Sequence, residues 1–149
     1  MRYLGIDLGD KRTGLAIGDD ETGICAPVET IEMPIERHDG QALLDAIAAA
    51  IDEQFGRGEG ELVLGLPLNM DATEGPRARA ARAFGERLGV ETGRVVHLCD
   101  ERLTSAAADD VFTERARAGI RLTHAQKRAR RDALAAAALL RAFLESRQA

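Results

Sequence analysis

Cysteine is scarce in this chain of 149 residues, which contains two, Cys25 and Cys99. They lie far apart and neither has a companion cysteine close in sequence, so the spacing of a zinc quartet or a disulfide framework is absent. Both stand beside apolar residues that are typical of strands. We therefore expect two reduced thiols with a structural role.

Long apolar runs are absent as well. No stretch approaches the roughly 20 apolar residues that a membrane-spanning helix needs. The sequence enters an apolar strand directly after Met1, without the charged leader and long apolar region of a signal peptide. With 45% hydrophobic and 30% charged residues, the composition is that of a globular protein. We expect a cytoplasmic protein with no membrane partner and a single domain over residues 1–149.

Histidine occurs at three positions, His38, His97 and His124. None of them belongs to a HExxH motif or has a paired spacing, and no Ser/His/Asp or Cys/His arrangement can be argued. We interpret all three histidines as non-catalytic.

Positive charge is in the minority, because the net charge is −5. This weighs against nucleic acid as a partner, since affinity for phosphate normally depends on lysine and arginine. The distribution weighs the other way, because residues 115–131 hold seven basic residues and no acidic one. Whether this basic segment binds phosphate or reflects a general abundance of arginine is left open, with Arg128 and Arg131 as candidate contacts.

Hydrophobic periodicity predicts an α/β domain with a mixed sheet, helices on both faces and the order βββαβαβαα. Residues 3–8 and 13–18 alternate around turn-forming residues and predict a hairpin. The other predicted strands are 27–33, 61–66 and 94–99. The predicted helices are 41–55, one capped by Thr73 that reaches Leu88, one that begins at Thr104 or Ser105, and one capped by Thr123 that ends near Ser146.

Several carboxylates stand in unusually apolar settings. Asp7 lies inside the first strand, on the face that also carries Tyr3. Asp100 and Glu101 are adjacent where a later strand leaves the sheet, so they point to opposite faces and at most one easily joins Asp7. Asp132 precedes an alanine-rich run in the last helix, on the side predicted to face inward.

Each of these carboxylates needs a partner, because burying an unpaired charge is costly. Hairpin N–H groups could satisfy Asp7, and Arg128 or another nearby arginine could pair with Asp132. Together, however, Asp7, Glu101 and Asp132 form the oxygen donor set that hard divalent cations prefer. Two such ions about 4 Å apart can activate water and stabilise the leaving oxygen in phosphodiester cleavage. We expect these carboxyl groups to converge.

Four segments carry a family resemblance: GIDLGDKRTG at 5–14, GLPLNMD at 65–71, DERLTS at 100–105 and DALAA at 132–136. In this order they resemble the YqgF family, whose members are described as Holliday junction resolvases or pre-16S rRNA nucleases. The resemblance implies an RNase H-like fold, with Asp7, Glu101 and Asp132 as catalytic residues and ligands of Mg²⁺ or Mn²⁺. It leaves Asp100 with a structural role and Asp10 as a turn former.

The loop at residues 65–74 is similar to the family's signature loop and ends at a helix N-terminus, where free N–H groups can receive a phosphate. Lys11, Asn69 and Thr73 are therefore candidate substrate contacts, beside the two arginines of the basic segment. One departure concerns the metal. RNase H-like enzymes often have a fourth carboxylate, whereas here none follows Asp132 before Glu145, and we expect weaker metal occupancy.

The favoured function is an endonuclease that trims the 5′ end of precursor 16S ribosomal RNA. The alternative substrate is a four-way DNA junction, whose symmetric cleavage needs a two-fold dimer. No clear dimer seam is visible in the sequence, and we expect a monomer or weak homodimer. A non-catalytic nucleic-acid or transcription-complex binding factor is a second class. An ATPase of the actin and sugar-kinase type is disfavoured, because it needs two such domains.

Overall fold

The computed structural model describes residues 1–103 and 124–148. The helix predicted to begin at Thr104 or Ser105 and the cap predicted at Thr123 lie outside the described residues. Short 3-10 turns occupy Arg37–Gly40 and Glu101–Leu103. The strands are β1 (Arg2–Leu8), β2 (Thr13–Asp19), β3 (Cys25–Ile31), β4 (Glu61–Leu66) and β5 (Val96–Asp100), and the helices are α1 (Gln41–Phe55), α2 (Pro76–Thr92) and α3 (His124–Gln148).

The strands form one mixed sheet in the order β3-β2-β1-β4-β5. β1 pairs antiparallel with β2 through a turn in which the Gly9 N–H donates to the Arg12 carbonyl at 2.9 Å. On its other side β1 runs parallel to β4, and β4 runs parallel to β5. The apolar run of β4 therefore lies inside the sheet, as its lack of polar residues predicts. The C-terminal ends of β1, β4 and β5 meet at one edge.

One face of the sheet is covered by α1 and α2. The apolar stripe of α1 is buried, with Leu44, Ile47 and Ile51 at most 1% exposed. These residues belong to a core cluster with Leu4 and Leu64 of the central strands. Spacings of three and four residues bring that stripe to one side of the helix, which is why the sequence predicts the bounds of α1 correctly.

The opposite face is covered by α3, which approaches the sheet very closely. Glycines of β1 and β2 make this approach possible: a Cβ atom at Gly5 would lie 3.0 Å from the Ala136 carbonyl, and one at Gly14 would overlap the Asp132 carbonyl. The helix contributes small side chains in return, because Ala136 is fully buried. The larger residues of α3, such as Leu140, pack further along the same face.

Several element boundaries differ from the prediction, among them the end of α2, which lies at Thr92 and not at Leu88. β3 and β5 are shifted by a residue or two at their ends, which is the usual uncertainty of such boundaries. The prediction that Thr73 caps α2 is wrong, since α2 begins at Pro76 after Gly75. The Thr73 N–H instead donates to Asp71 at 3.1 Å, in a turn of the loop that precedes α2. Among the described residues, no helix combines the length and apolarity needed to cross a membrane.

Candidate active site

Asp7 lies at the C-terminal end of β1 between two glycines of the neighbouring strands. Gly14 of β2 is its direct cross-strand partner. On the other side Ile6 is paired with Leu64, so Gly65 comes next to Asp7 on β4. Both glycines leave room beside the Asp7 side chain on the face covered by α3. There is therefore room for another side chain or main-chain group on each side of the Asp7 carboxylate.

Glu101 occupies the position above Gly65. It begins the short 3-10 turn that follows β5, and a Cβ atom at Gly65 would lie 2.5 Å from its Oε1 atom. Its carboxylate is hydrogen-bonded to that of Asp7. A glycine at position 65 is thus what lets the two acidic side chains meet.

Asp132 occupies the position on the other side, above Gly14, where its main-chain carbonyl reaches the sheet. Its Oδ2 atom lies 3.0 Å from Nε of Arg12, and the two side chains are 26% and 40% exposed. This oxygen is buried and has no hydrogen-bond partner in the part of the chain that the structure describes. The contact with Arg12 is therefore an ion pair without the alignment of a hydrogen bond. Asp132 is therefore held by charge, with a buried oxygen still able to accept a ligand.

The charges at this edge of the sheet raise the pKa of Asp7 to about 8. Burial is the largest cause; the negative charge and hydrogen bond of Glu101 come next, and the charge of Asp132 adds to them, while Arg77 acts in the opposite direction. Burial and like charges both disfavour a carboxylate. At neutral pH the protonated form of Asp7 is therefore favoured, and it is hydrogen-bonded to the Glu101 side chain.

This donor set fits a hard divalent cation in its chemistry, since it consists of carboxylates whose mutual repulsion a cation would relieve. It is not arranged as a finished site: within residues 1–103 and 124–148, no group of three or more His, Cys, Asp or Glu side chains is positioned to hold a metal ion. Asp7 and Glu101 are in contact, whereas Asp132 is paired with Arg12. A cation that binds all three carboxylates would have to displace the proton of Asp7 and the Arg12 guanidinium.

The signature loop is organised by its own side chains. Nδ2 of Asn69 donates to Oγ1 of Thr73 at 3.0 Å, and the Asn69 N–H donates to the Thr73 carbonyl at 2.9 Å. Arg102 fastens this loop to the end of β5, because its Nη1 donates to the Met70 carbonyl at 3.1 Å and its Nη2 to Asp100 at 2.6 Å. Asp100 thus has the structural contact expected of it, and Arg102 positions the loop next to Glu101.

The remaining candidate contacts surround the acidic residues. Lys11 is exposed at the tip of the β1–β2 hairpin, and Arg131 is exposed on α3 directly before Asp132. The side chain of Arg128 lies outside the described residues. Sequence reasoning missed Arg12 and Arg77; Arg12 stands inside the first family motif, and Arg77 follows the proline that begins α2.

The two cysteines are reduced and buried, as expected from the sequence, and His97 lies in the same sheet. Cys25 and Cys99 are free and buried. Burial, followed by the charges of Asp100 and Glu101, raises the pKa of Cys99 to about 11, which keeps this thiol protonated and unreactive. Nε2 of His97 lies 2.9 Å from the Glu61 carboxylate, away from Asp7 at the other end of the strands.

Comparison with known proteins identifies relatives along the whole chain. The family model described as "RuvX: Holliday junction resolvase" matches residues 1–146. A protein of Anaeromyxobacter sp. (strain Fw109-5) named "Putative pre-16S rRNA nuclease" is 42% identical over 149 residues, which is 100% of both chains. A protein of Geobacillus kaustophilus with the same name is 39% identical over 149 residues, covering 99% of this chain and 100% of its own.

Solved structures of RuvC from Thermus thermophilus have the same architecture. One has a TM-score of 0.58 at 18% identity, covering 99% of this chain and 96% of that chain. Another, RuvC in complex with a Holliday junction substrate, has a TM-score of 0.57 at 16% identity with the same coverage. This likeness establishes the RNase H-like fold that the sequence motifs imply. From the family match and the full-length relatives together, we conclude that this protein belongs to the RuvX (YqgF) family of nucleases.

Proposed function

We propose that this protein is a metal-dependent endonuclease that trims the 5′ end of precursor 16S ribosomal RNA in the cytoplasm. The observation that carries the proposal is the partly buried acidic pair Asp7–Glu101, in which burial and the charge of Glu101 raise the pKa of Asp7 to about 8, with Asp132 close enough to add to the effect. A folded protein gains no stability from such a cluster in the absence of a cation. The choice of substrate rests on the names of the full-length relatives.

Nucleases related to RuvC and RuvX generally use divalent metal ions. In this chain Asp7, Glu101 and Asp132 would hold the metal, and we propose Mg²⁺ or Mn²⁺ because all three ligands offer oxygen atoms. When bound, the metal supplies activation of the attacking water and stabilisation of the leaving oxygen. The protein supplies the negative charge and the close main-chain contact at Gly14 that fixes the position of Asp132.

The substrate is a nucleic acid, and positive charge near the carboxylates would offset their repulsion of its phosphates. We propose that three basic residues contact the phosphate backbone of the nucleic acid: Lys11 at the hairpin tip, Arg131 beside Asp132, and Arg128 in the basic segment. Asn69 and Thr73 are exposed in the signature loop, which Arg102 ties to the turn that carries Glu101. These two side chains would contact the strand next to the scissile phosphate.

Resolution of four-way DNA junctions is the second candidate, because the family model is described as a Holliday junction resolvase. The two functions make different demands on assembly. A junction presents two equivalent strands and requires paired active sites, whereas trimming one RNA strand requires a single site. For the RNA function we propose a monomer or a weak homodimer.

The deciding experiment offers a 5′-extended rRNA precursor and a four-way DNA junction in parallel, each with Mg²⁺, with Mn²⁺ and with chelator. We expect metal-dependent cleavage of the RNA at its 5′ side and loss of that cleavage in Asp7→Asn, Glu101→Gln and Asp132→Asn. Asp52→Asn, an exposed carboxylate of α1, serves as the control. Preferential, symmetric cutting of the junction by a stable dimer would establish the second function, and cleavage that survives in chelator would exclude a metal-dependent reaction.

A further inference from the structure

Arg12 is the residue that faces Asp132 across the site. It ends the hairpin turn between β1 and β2, and its main-chain carbonyl accepts the Gly9 N–H that closes that turn. The backbone of Arg12 is therefore fixed by the hairpin, independently of its side chain. The side chain reaches α3 and places Nε 3.0 Å from Oδ2 of Asp132.

The contact between the two side chains is electrostatic in character. Oδ2 of Asp132 has no hydrogen-bond partner within the described residues, although the guanidinium is adjacent. An arginine that served to lock a carboxylate in place would donate aligned N–H bonds, often two at once. Here the guanidinium provides positive charge next to a buried oxygen without an aligned hydrogen bond to that oxygen.

The acidic site therefore has a compensating positive charge next to Asp132 when no cation is bound. The Arg12 guanidinium offsets the charge of the Asp132 carboxylate. A divalent cation that binds all three carboxylates must displace this guanidinium. Arg12, whose side chain is 40% exposed, can swing outward without unfolding the hairpin.

We propose that Arg12 is a positioning residue that occupies the carboxylate of Asp132 in the metal-free protein and competes with the divalent cation for it. The inference rests on the proposed function in that Asp132 is taken as a metal ligand. Its consequence is that Arg12 lowers the affinity for free metal. The site then binds metal fully only when another anion, such as the phosphate of a bound strand, attracts the arginine away.

The test is a calorimetric titration of the full-length protein with Mn²⁺. Replacing the charged side chain in Arg12→Gln should tighten binding by roughly tenfold, the scale expected for removing a partly exposed unit charge a few ångströms from a dication. Arg12→Lys keeps the charge and should bind Mn²⁺ nearly as weakly as the wild type. Arg82→Gln is the matched control, because Arg82 pairs with Glu74 at 2.7 Å on the surface of α2, and it should not alter the affinity.

A double mutant separates this inference from the proposed function. If Arg12 acts through Asp132, the gain in Arg12→Gln disappears in the Asp132→Asn background, since the competed ligand is gone. An affinity that stays unchanged or weakens in Arg12→Gln, or a gain that persists in the double mutant, would overturn the inference.

Asp132→Asn alone reports on the proposed ligand set: if it weakens Mn²⁺ binding while Arg12→Gln has no effect, the metal assignment stands and the competition fails. If Asp132→Asn leaves binding unchanged, Asp132 is not a ligand and both fail.

Discussion

Replacing Asp7 by asparagine should make the metal-free protein more stable at neutral pH and leave its stability near pH 4 almost unchanged. In the folded protein the pKa of Asp7 is raised to about 8, first by burial and then by the charge of Glu101. The unfolded chain releases this proton near the ordinary aspartate value of about 4. Between these pH values the folded state binds the extra proton, so the stability of the wild type falls as pH rises. Asparagine removes that loss.

The size of the effect follows from the shift in pKa. Each pH unit contributes at most about 1.4 kcal/mol, so the interval from about pH 4 to about pH 7 sets an upper limit of about 4 kcal/mol. Asp7 is hydrogen-bonded to Glu101, and part of the cost therefore belongs to the pair. We expect about half of the limit, about 2 kcal/mol, which raises the melting temperature of a domain of this size by roughly 4–8 °C.

The measurement is a set of urea and thermal melts with chelator at about pH 5 and about pH 7.5, comparing wild type with Asp7→Asn. Asp52→Asn, on the exposed side of α1, controls for the loss of one negative charge. The gain should be clear at the higher pH and at least halve at the lower one. An equal difference at both pH values, or a less stable Asp7→Asn protein, would refute this reasoning and point instead to structural hydrogen bonds accepted by Asp7. The same variant should lose metal-dependent cleavage.

Three further predictions concern the metal, the helix contact and the substrate. The affinity for Mn²⁺ should rise by at most about tenfold per pH unit up to about pH 8 and then level off, because the cation displaces the proton of Asp7. Calorimetry in buffers of different ionisation enthalpy would detect the released proton. Gly14→Ala should destabilise the fold by about 2–4 kcal/mol, since its Cβ would overlap the Asp132 carbonyl. Gly89→Ala on α2, whose nearest contact would be 3.5 Å away, should be neutral or slightly stabilising in the same denaturation assay. Arg131→Ala should lower the salt dependence of RNA binding by up to about one unit of slope if the side chain contacts a phosphate.

Much of the fold follows from local sequence patterns. The stripe of α1 and the apolar run of β4 are strong enough to set their bounds, and the hairpin turn is specified by its own residues. These patterns also predict correctly that β4 lies inside a mixed sheet. The start of α2 could not be predicted, because Thr73 is a good capping residue by type. In the structure Thr73 is instead hydrogen-bonded to Asp71 within the loop, and the helix begins later.

For the candidate site, the sequence predicts which carboxylates to consider, and their roles stay predictions; it does not predict their contacts. The family motifs single out Asp7 and Glu101, and the structure places them in a hydrogen-bonded pair. The sequence suggests Arg128 or another nearby arginine as the partner of Asp132, whereas the structure pairs Asp132 with Arg12, far away in sequence. This contact depends on the rotation of α3 on the sheet and on its distance from Gly14, neither of which a local pattern encodes.

The glycine at the base of the site has a consequence for protein engineering. Because the main chain of α3 contacts the sheet directly at Gly14, the position of Asp132 depends on the backbone more than on side-chain packing. Grafting the three carboxylates onto another RNase H-like scaffold would therefore not transfer the site. The graft would need Gly14 and Gly65 in the recipient strands and an alanine such as Ala136 on the recipient helix. A design built this way should be judged by the spacing between helix and sheet before any acidic residue is introduced.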